Sequence, residues 1–431
     1  MEHKMNLTPE EEAILNGSQG EVMAKMMQTL VSLGDIFGAK RMVKITHEGH
    51  LVTSMGIPLL KPLYRTMQQI IDAGISAKWK FTADPRPIDY KNVKCNLLDK
   101  IVFSKVMYGK QAEYEEQLKK VGLISSDSFS CACYHKEMGN TPQKGDILSW
   151  AESSAVVYAN SVLGARCNRN SGMIDLFGCI LGVVPEFGLL LDENRQANWV
   201  VEVKTTKIPE AQILGSAIGI AVGEGVPYIK GLDKWIGKTL DDTTCSYLKD
   251  MGAASASNGA VGLYHIENLT PEAVESGEKL IRKDAKKLVI DDEYLQKTYD
   301  SYPILWKNKN ARPKLCFIGC PHLSLEQLDS WTDKIFDSLI KNGRTKVTCR
   351  TILTTSPAVA QKFSETTNYL KLMATGVKLS SICPLMYLNN PLTHSRAIIT
   401  CSNKLRTYTR ARFYSENEIL DIITGKEANN G

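Results

Sequence analysis

Two cysteine-proline pairs, Cys320-Pro321 and Cys383-Pro384, each close a short apolar run, KLCFIGCP and VKLSSICP, and the stretch DSFSCACYHKE adds Cys131 and Cys133. A thiol inside an apolar run is a small core hydrophobe, the reading that fits Cys95, Cys179, Cys245, Cys316 and Cys349. A thiol at the exit of a strand stands where α/β sheets meet their ligands, and this moves Cys320, Cys383 and one of Cys131 and Cys133 to candidates for chemistry. Three thiols from distant segments could hold an iron-sulfur cluster, bind zinc or do redox chemistry. The closely spaced CxxC pairs of zinc ribbons and ferredoxins are missing, and no fourth ligand is evident. A cluster with one iron left open as a Lewis acid suits such a set.

Other groups gather near these thiols in the sequence pattern. The run SWAESSAVVYANSVLGARCNRNSG is helix-like from Glu152 to Leu163, with Glu152, Ser153 and Ser154 at its head as candidate substrate-binding groups. It ends in a Gly-flanked loop carrying Arg166, Asn168 and Arg169, and guanidinium forks suit carboxylates or phosphates. HEGHL places His47 and His50 after the run RMVKI, where His50 is a further substrate-binding candidate; HxxH without a third ligand does not specify a metal. His322, two residues past Cys320, fits either a helix cap or a group behind the ligands.

The elements that must position these groups follow from periodicity. Thr8, Pro9 and Glu11 mark a helix start, and one helix is expected through about Phe37. Strand-like runs (RMVKI, AKWKFTA, FSCAC, WVVEVKT, GAVGLYHI, KLCFIG, KVTCRTIL, VKLSSI, RAIITC) alternate with helical patterns, which predicts α/β architecture with parallel sheets. The last part reads as a doubly wound α/β domain over 313–431 whose strand exits bring Cys320, Thr354 to Ser356, Cys383, and Cys401 to Lys404 to one rim. Ser402 and Lys404 are thereby candidates for the site. Residues 1–289 form an N-terminal α/β region with the CACYHKE and GARCNRNSG motifs, and the polar stretch after Glu275, centred on 290–312, reads as a helical connector.

The bulk numbers agree with a globular protein. The 431 residues are 43% hydrophobic, enough for a large core in several domains, and 52 basic against 47 acidic residues leave +5. That excess is too small and dispersed for nucleic acid or a membrane surface, and leaves room for a small anionic substrate. No run approaches the roughly 20 apolar residues of a membrane span, and the first residues lack a secretory core. Eleven scattered cysteines suit a reducing compartment, so a cytoplasmic protein is expected.

Taken together, CACYHKE, SWAESSAVVYANSVLGARCNRNSG, IGCPHLSLEQ, SICPLMY and Ser402-Asn403-Lys404 resemble the aconitase X family over nearly the whole chain, GARCNRNSG being the most specific piece. The resemblance implies an aconitase-like, multi-domain α/β fold and a hydro-lyase (dehydratase) activity. It implies an iron or iron-sulfur centre held by three cysteines with an open iron position, by position Cys131, Cys320 and Cys383. Cys133 stands where the family usually has proline and Cys167 where it usually has threonine, which leaves Cys131 and Cys133 as alternatives for one ligand. The family works with a small swivelling domain that supplies a serine base, so a separate small subunit is expected for a chain of this length. One branch dehydrates cis-3-hydroxy-L-proline to Δ1-pyrroline-2-carboxylate and an archaeal branch dehydrates mevalonate 5-phosphate. GVVPEFGLLLDENR is similar to the proline-linked members and no extra basic cluster awaits a phosphate, so hydroxyproline is the expected substrate. In that scheme Arg166, Asn168, Arg169, Ser402 and Lys404 orient the carboxylate and stabilise its growing charge. A reading from another class, a zinc or redox-sensing protein that binds an anion without turnover, uses the same thiols and predicts a colourless protein.

Overall fold

The computed structural model describes residues 3–52, 56–389, 393 and 396–426. Two parallel sheets organise the chain from Ala197 onward. The first has the order His265–Ile266, Pro227–Lys230, Ala197–Val203, Ile281–Ile290. The second has the order Lys378–Ser380, Arg350–Thr355, Leu315–Leu323, Ile398–Thr400, Arg412–Phe413, all parallel. Helices such as Leu325–Lys341 and Asn403–Tyr408 connect these strands, as a doubly wound domain requires. The N-terminal region is less regular: Gly49–Leu51 pairs in parallel with Phe81–Ala83, and Met42–Lys44 pairs antiparallel with Val183–Pro185.

The strand Leu315–Leu323 is buried along its whole length, because it is central in its sheet and apolar on both faces. Its pairing with Arg350–Thr355 shifts between Leu353 and Thr355. At that point Gly319 has φ +105°, and a Cβ there would lie 2.4 Å from the Thr354 carbonyl oxygen. Only glycine fits, and the Thr354 hydroxyl donates to the Gly319 carbonyl. The chain therefore leaves the regular ladder at Cys320.

Three expectations change. The Thr8 capping box forms, but the helix runs only over Pro9–Leu15 and a second begins at Glu21 (Glu21–Phe37), since Gly17 and Gly20 adopt φ of 92° and 90° between them. The stretch expected as a helical connector contains a strand, Ile281–Ile290, parallel to Ala197–Val203, before the helix Asp292–Asp300. It is an edge strand with Arg282, Lys283 and Asp284 in solvent, and its charge protects the edge while hiding the β pattern. FSCAC forms no strand: a single bridge joins Phe129 to Ala83, and Cys131 sits in the turn beyond it. Likewise His50 lies in the short strand Gly49–Leu51 and not at the end of RMVKI. Among the described residues no helix is long and apolar enough to cross a membrane.

Candidate active site

Cys320 leaves the central strand at the Gly319 turn, and its carbonyl accepts the Ser402 hydroxyl from the next strand exit. Cys383 caps the helix Pro384–Leu388, its N–H donating to the Arg86 carbonyl at 2.7 Å. Cys131 is set by its turn, in which the Ala132 N–H donates to Ser130 Oγ at 3.1 Å, and its sulfur accepts the His322 N–H at 3.4 Å. The thiols influence one another electrostatically in series, Cys131 with Cys320 and Cys320 with Cys383. Burial raises all three thiol pKa values; Cys320 is held to about 11 because the Lys404 ammonium and the Ser402 hydroxyl act against burial.

Lys404 and Glu152 form a buried ion pair that joins the C-terminal domain to the N-terminal region. Glu152 caps the helix Ser153–Tyr158, its Oε2 accepting the Ala155 N–H at 2.7 Å and the Ser154 hydroxyl at 2.6 Å. Lys404 also donates to Ser154 Oγ at 3.2 Å. Burial alone would discharge the ammonium, but the Glu152 carboxylate and the neighbouring Cys320 and Cys131 hold it above its ordinary range. Glu152, equally disfavoured by burial, is held below the usual carboxylate range by Lys404, Ser154 and the Ala155 amide.

Beside this pair stand His50 and Asp84. His50 Nδ1 is 2.9 Å from Thr82 Oγ1, and Nε2 is 3.6 Å from Asp84 Oδ1; among the described residues neither Nε2 nor Oδ1 has a hydrogen-bond partner. Against burial, the Cys133 sulfur and the Asp84 carboxylate push His50 up to about 10. Burial, then the nearby Glu152, raises Asp84, while His50 and Lys404 lower it. The two thiols of CACYHKE are thus sorted: Cys131 faces Cys320, Lys404 and Asp84, and the fully buried Cys133 lies against His50.

The structure gathers Cys131, Cys320, Cys383, Glu152, Ser154, His50, Ser402 and Lys404. It does not gather the arginine loop with them. Arg166 donates to the Leu190 carbonyl at 2.8 Å and pairs with Asp192. The Asn168 amide donates to the Phe187 carbonyl and accepts the Leu189 N–H, each at 2.8 Å. Arg169 is exposed, and Ser153 is the half-buried first residue of its helix. Among the described residues no hydrogen bond or ion pair ties Arg166, Asn168 or Arg169 to the thiols or to Lys404. The loop is itself held by a buried guanidinium, Arg195, bonded to Glu272, Asn160 and the Ala165 carbonyl.

Asp84, Arg195 and Lys249 escape the sequence reading. Asp84 follows the strand Phe81–Ala83 directly, the same strand-exit position that marks Cys320 and Cys383. Lys249 lies inside a helix with no local mark of its role, yet it is buried and donates to the His322 carbonyl at 2.9 Å.

Among the described residues no group of three or more His, Cys, Asp or Glu side chains is already closed to metal-ligating spacing. The donors nevertheless suit a thiophilic cation. They are three soft sulfurs whose burial keeps them protonated, and a bound cation is what would convert them to thiolates. A separate cavity of 730 Å³, bounded by Tyr134, His135, Tyr158, Lys249, Ser324 and Glu326 among others, lies on the Lys249 side; none of the three thiols lines it. The cluster as a whole sets soft sulfur donors beside a buried ammonium, with the titratable Asp84 and His50 next to them.

Family models for the aconitase X first, second and third domains match residues 4–193, 197–300 and 313–422. The chain is 34% identical to the phosphomevalonate dehydratase large subunit of Thermococcus kodakarensis over 75% of each chain. It is 26% identical to the cis-3-hydroxy-L-proline dehydratase of Hypocrea jecorina, over 95% of this chain and 67% of that one. The crystal structure of Thermococcus kodakaraensis aconitase X in its holo-form superposes with a TM-score of 0.78 at 28% identity, over 97% of this chain and 100% of the other.

Proposed function

Because the chain belongs to the aconitase X family of dehydratases, we propose that it eliminates water from a β-hydroxy carboxylate at the Cys131, Cys320, Cys383 cluster, with cis-3-hydroxy-L-proline as substrate and as the large subunit of a two-subunit enzyme. The observation that carries the reading is the buried Lys404–Glu152 pair, contributed by the C-terminal domain and the N-terminal region and set against the thiols.

Cys131, Cys320 and Cys383 would hold an iron or iron-sulfur centre, which supplies Lewis-acid assistance to the departing hydroxyl. Lys404 stays charged and binds the substrate carboxylate, so the enolate-like charge grows against a fixed ammonium. Ser402 orients it from the adjacent helix start. Glu152 holds Lys404 in place, and Ser154 fixes the geometry of both. Asp84, raised by burial and with an unpartnered Oδ1, carries a proton to the leaving oxygen, with His50 Nε2 behind it. Burial of Cys320, His50, Glu152, Ser154, Ser402 and Lys404 excludes water and strengthens their contacts.

The proton on the α carbon goes to a serine of a small partner subunit. Relatives bearing the name large subunit support such a partner. The enamine first formed then becomes Δ1-pyrroline-2-carboxylate.

Two features favour different substrates. Of the two buried ammonium groups near the thiols, Lys404 is taken by the substrate carboxylate in this scheme and Lys249 is held by Asp250 and the His322 carbonyl, which favours a substrate without phosphate. The higher identity to phosphomevalonate dehydratase large subunits favours mevalonate 5-phosphate as the second reading. The deciding test assays the chain with its small partner on both compounds side by side, following the cyclic imine by reduction to proline. Turnover of mevalonate 5-phosphate alone assigns the second reading, and no turnover of either by iron-loaded protein refutes both.

A further inference from the structure

His322 is fully buried, and its four polar atoms are engaged with three segments of the chain. Its backbone N–H donates to Cys131 Sγ at 3.4 Å. Its carbonyl accepts the Lys249 ammonium at 2.9 Å. Its Nδ1 is 3.1 Å from Ser130 Oγ, and its Nε2 is 3.1 Å from the Ile382 carbonyl oxygen.

These partners have a common relation to the thiols. Ser130 immediately precedes Cys131, Ile382 immediately precedes Cys383, and His322 itself lies two residues after Cys320. The hydrogen bonds also fix the ring. A carbonyl only accepts, so Nε2 carries the proton, and Nδ1 then accepts from the Ser130 hydroxyl. That hydroxyl in turn accepts the Ala132 N–H at 3.1 Å, which leaves no member of the network unsatisfied.

The segments around Cys131 and Cys383 have little regular structure to hold them: one lies in a turn, the other follows a single bridge between Arg86 and Ile382. We infer that His322 is the positioning residue of the thiol site, one imidazole that sets the spacing of all three cysteine-bearing loops from behind. This rests on the proposal that Cys131, Cys320 and Cys383 are ligands. A histidine that ties ligand loops together in this way controls metal affinity without touching the metal.

The test strips the full-length chain of metal and titrates it anaerobically with Co(II), reading the thiolate-to-cobalt charge-transfer absorption, with the thermal midpoint measured in parallel. His322→Ala is expected to weaken Co(II) binding about 10- to 100-fold. Ser130→Ala removes one bond of the same ring without opening a large cavity. It is expected to weaken binding several-fold at a nearly unchanged midpoint, and it decides the matter should the alanine at 322 fail to fold. His322→Gln, which keeps an amide in reach of the Ile382 carbonyl, should recover part of the loss. Wild-type Co(II) affinity in both Ser130→Ala and His322→Ala, with the absorption abolished in Cys320→Ala, would overturn the role of His322 and leave the thiol site standing. A wild-type absorption in Cys320→Ala would instead remove the ligand assignment on which the role depends.

Discussion

Glu152 and Lys404 stand 252 positions apart and meet in a pocket from which water is excluded. Removing one partner of such a pair leaves the other charge buried and uncompensated, at a cost of about 3–5 kcal/mol. Lys404→Met should lower stability by that order in urea titrations and abolish turnover, whereas the double variant Lys404→Met/Glu152→Gln should recover most of the stability and none of the activity. Asp84 shares no hydrogen bond with this pair among the described residues and faces His50 Nε2 at 3.6 Å. Asp84→Asn is expected to reduce kcat about 10²- to 10⁴-fold with KM little changed, the pattern of a lost proton carrier, in assays with the small partner present. Glu152 and Lys404 were each legible in the sequence as a helix head and a strand exit. Their pairing was not, because nothing local records a contact between the two ends of a chain. The arginine loop has a composition that suits anion binding, and in the structure the Leu190 carbonyl and Asp192 hold Arg166.

Elements explain why the thiols lie where they do. The strand exit at Cys320 depends on Gly319, whose φ and close approach to Thr354 exclude a side chain. Gly319→Ala should cost about 1–3 kcal/mol in backbone strain, with more from the contact, and should lower iron content per chain in proportion to the displacement of Cys320. The parallel order of the C-terminal sheet was readable because its central strand is apolar throughout and its helices are amphipathic. The edge strand Ile281–Ile290 was not, since lysines and an aspartate interrupt the alternation that marks a strand. FSCAC has a strand-like pattern for a different reason: Phe129, Ala132 and Cys133 fill cores, and the segment makes a single bridge at Phe129 rather than a ladder.

At the scale of the molecule, the middle and C-terminal domains meet at Glu210, whose carboxylate accepts the Glu416 N–H at 3.2 Å. Burial, then the Glu416 charge, pushes Glu210 up to about 8. The folded chain therefore holds this proton more tightly than the unfolded one, whose glutamates titrate near about 4.3. The stabilising contribution is complete below that value and is lost as pH rises to about 8. Glu210→Gln keeps the acceptor and removes the titration, so its thermal midpoint should fall less between pH 5 and 8 (about the interval set by the two pKa values) than that of the parent chain. The purified chain without a partner is expected to show no more than traces of dehydratase turnover, measured by imine formation at saturating substrate; full turnover would place the base within this chain.

The loops that carry Cys131, Cys320, Cys383 and Lys404 are spread over most of the chain's length and leave the ribosome in that order. Domains fold as they emerge, so the N-terminal region is shaped while it still presents one thiol, a carboxylate without its ammonium and a turn without its histidine. The site is consequently timed as well as placed. On the proposed ligand set, a chain truncated before Cys383 lacks a ligand and is expected to retain no metal.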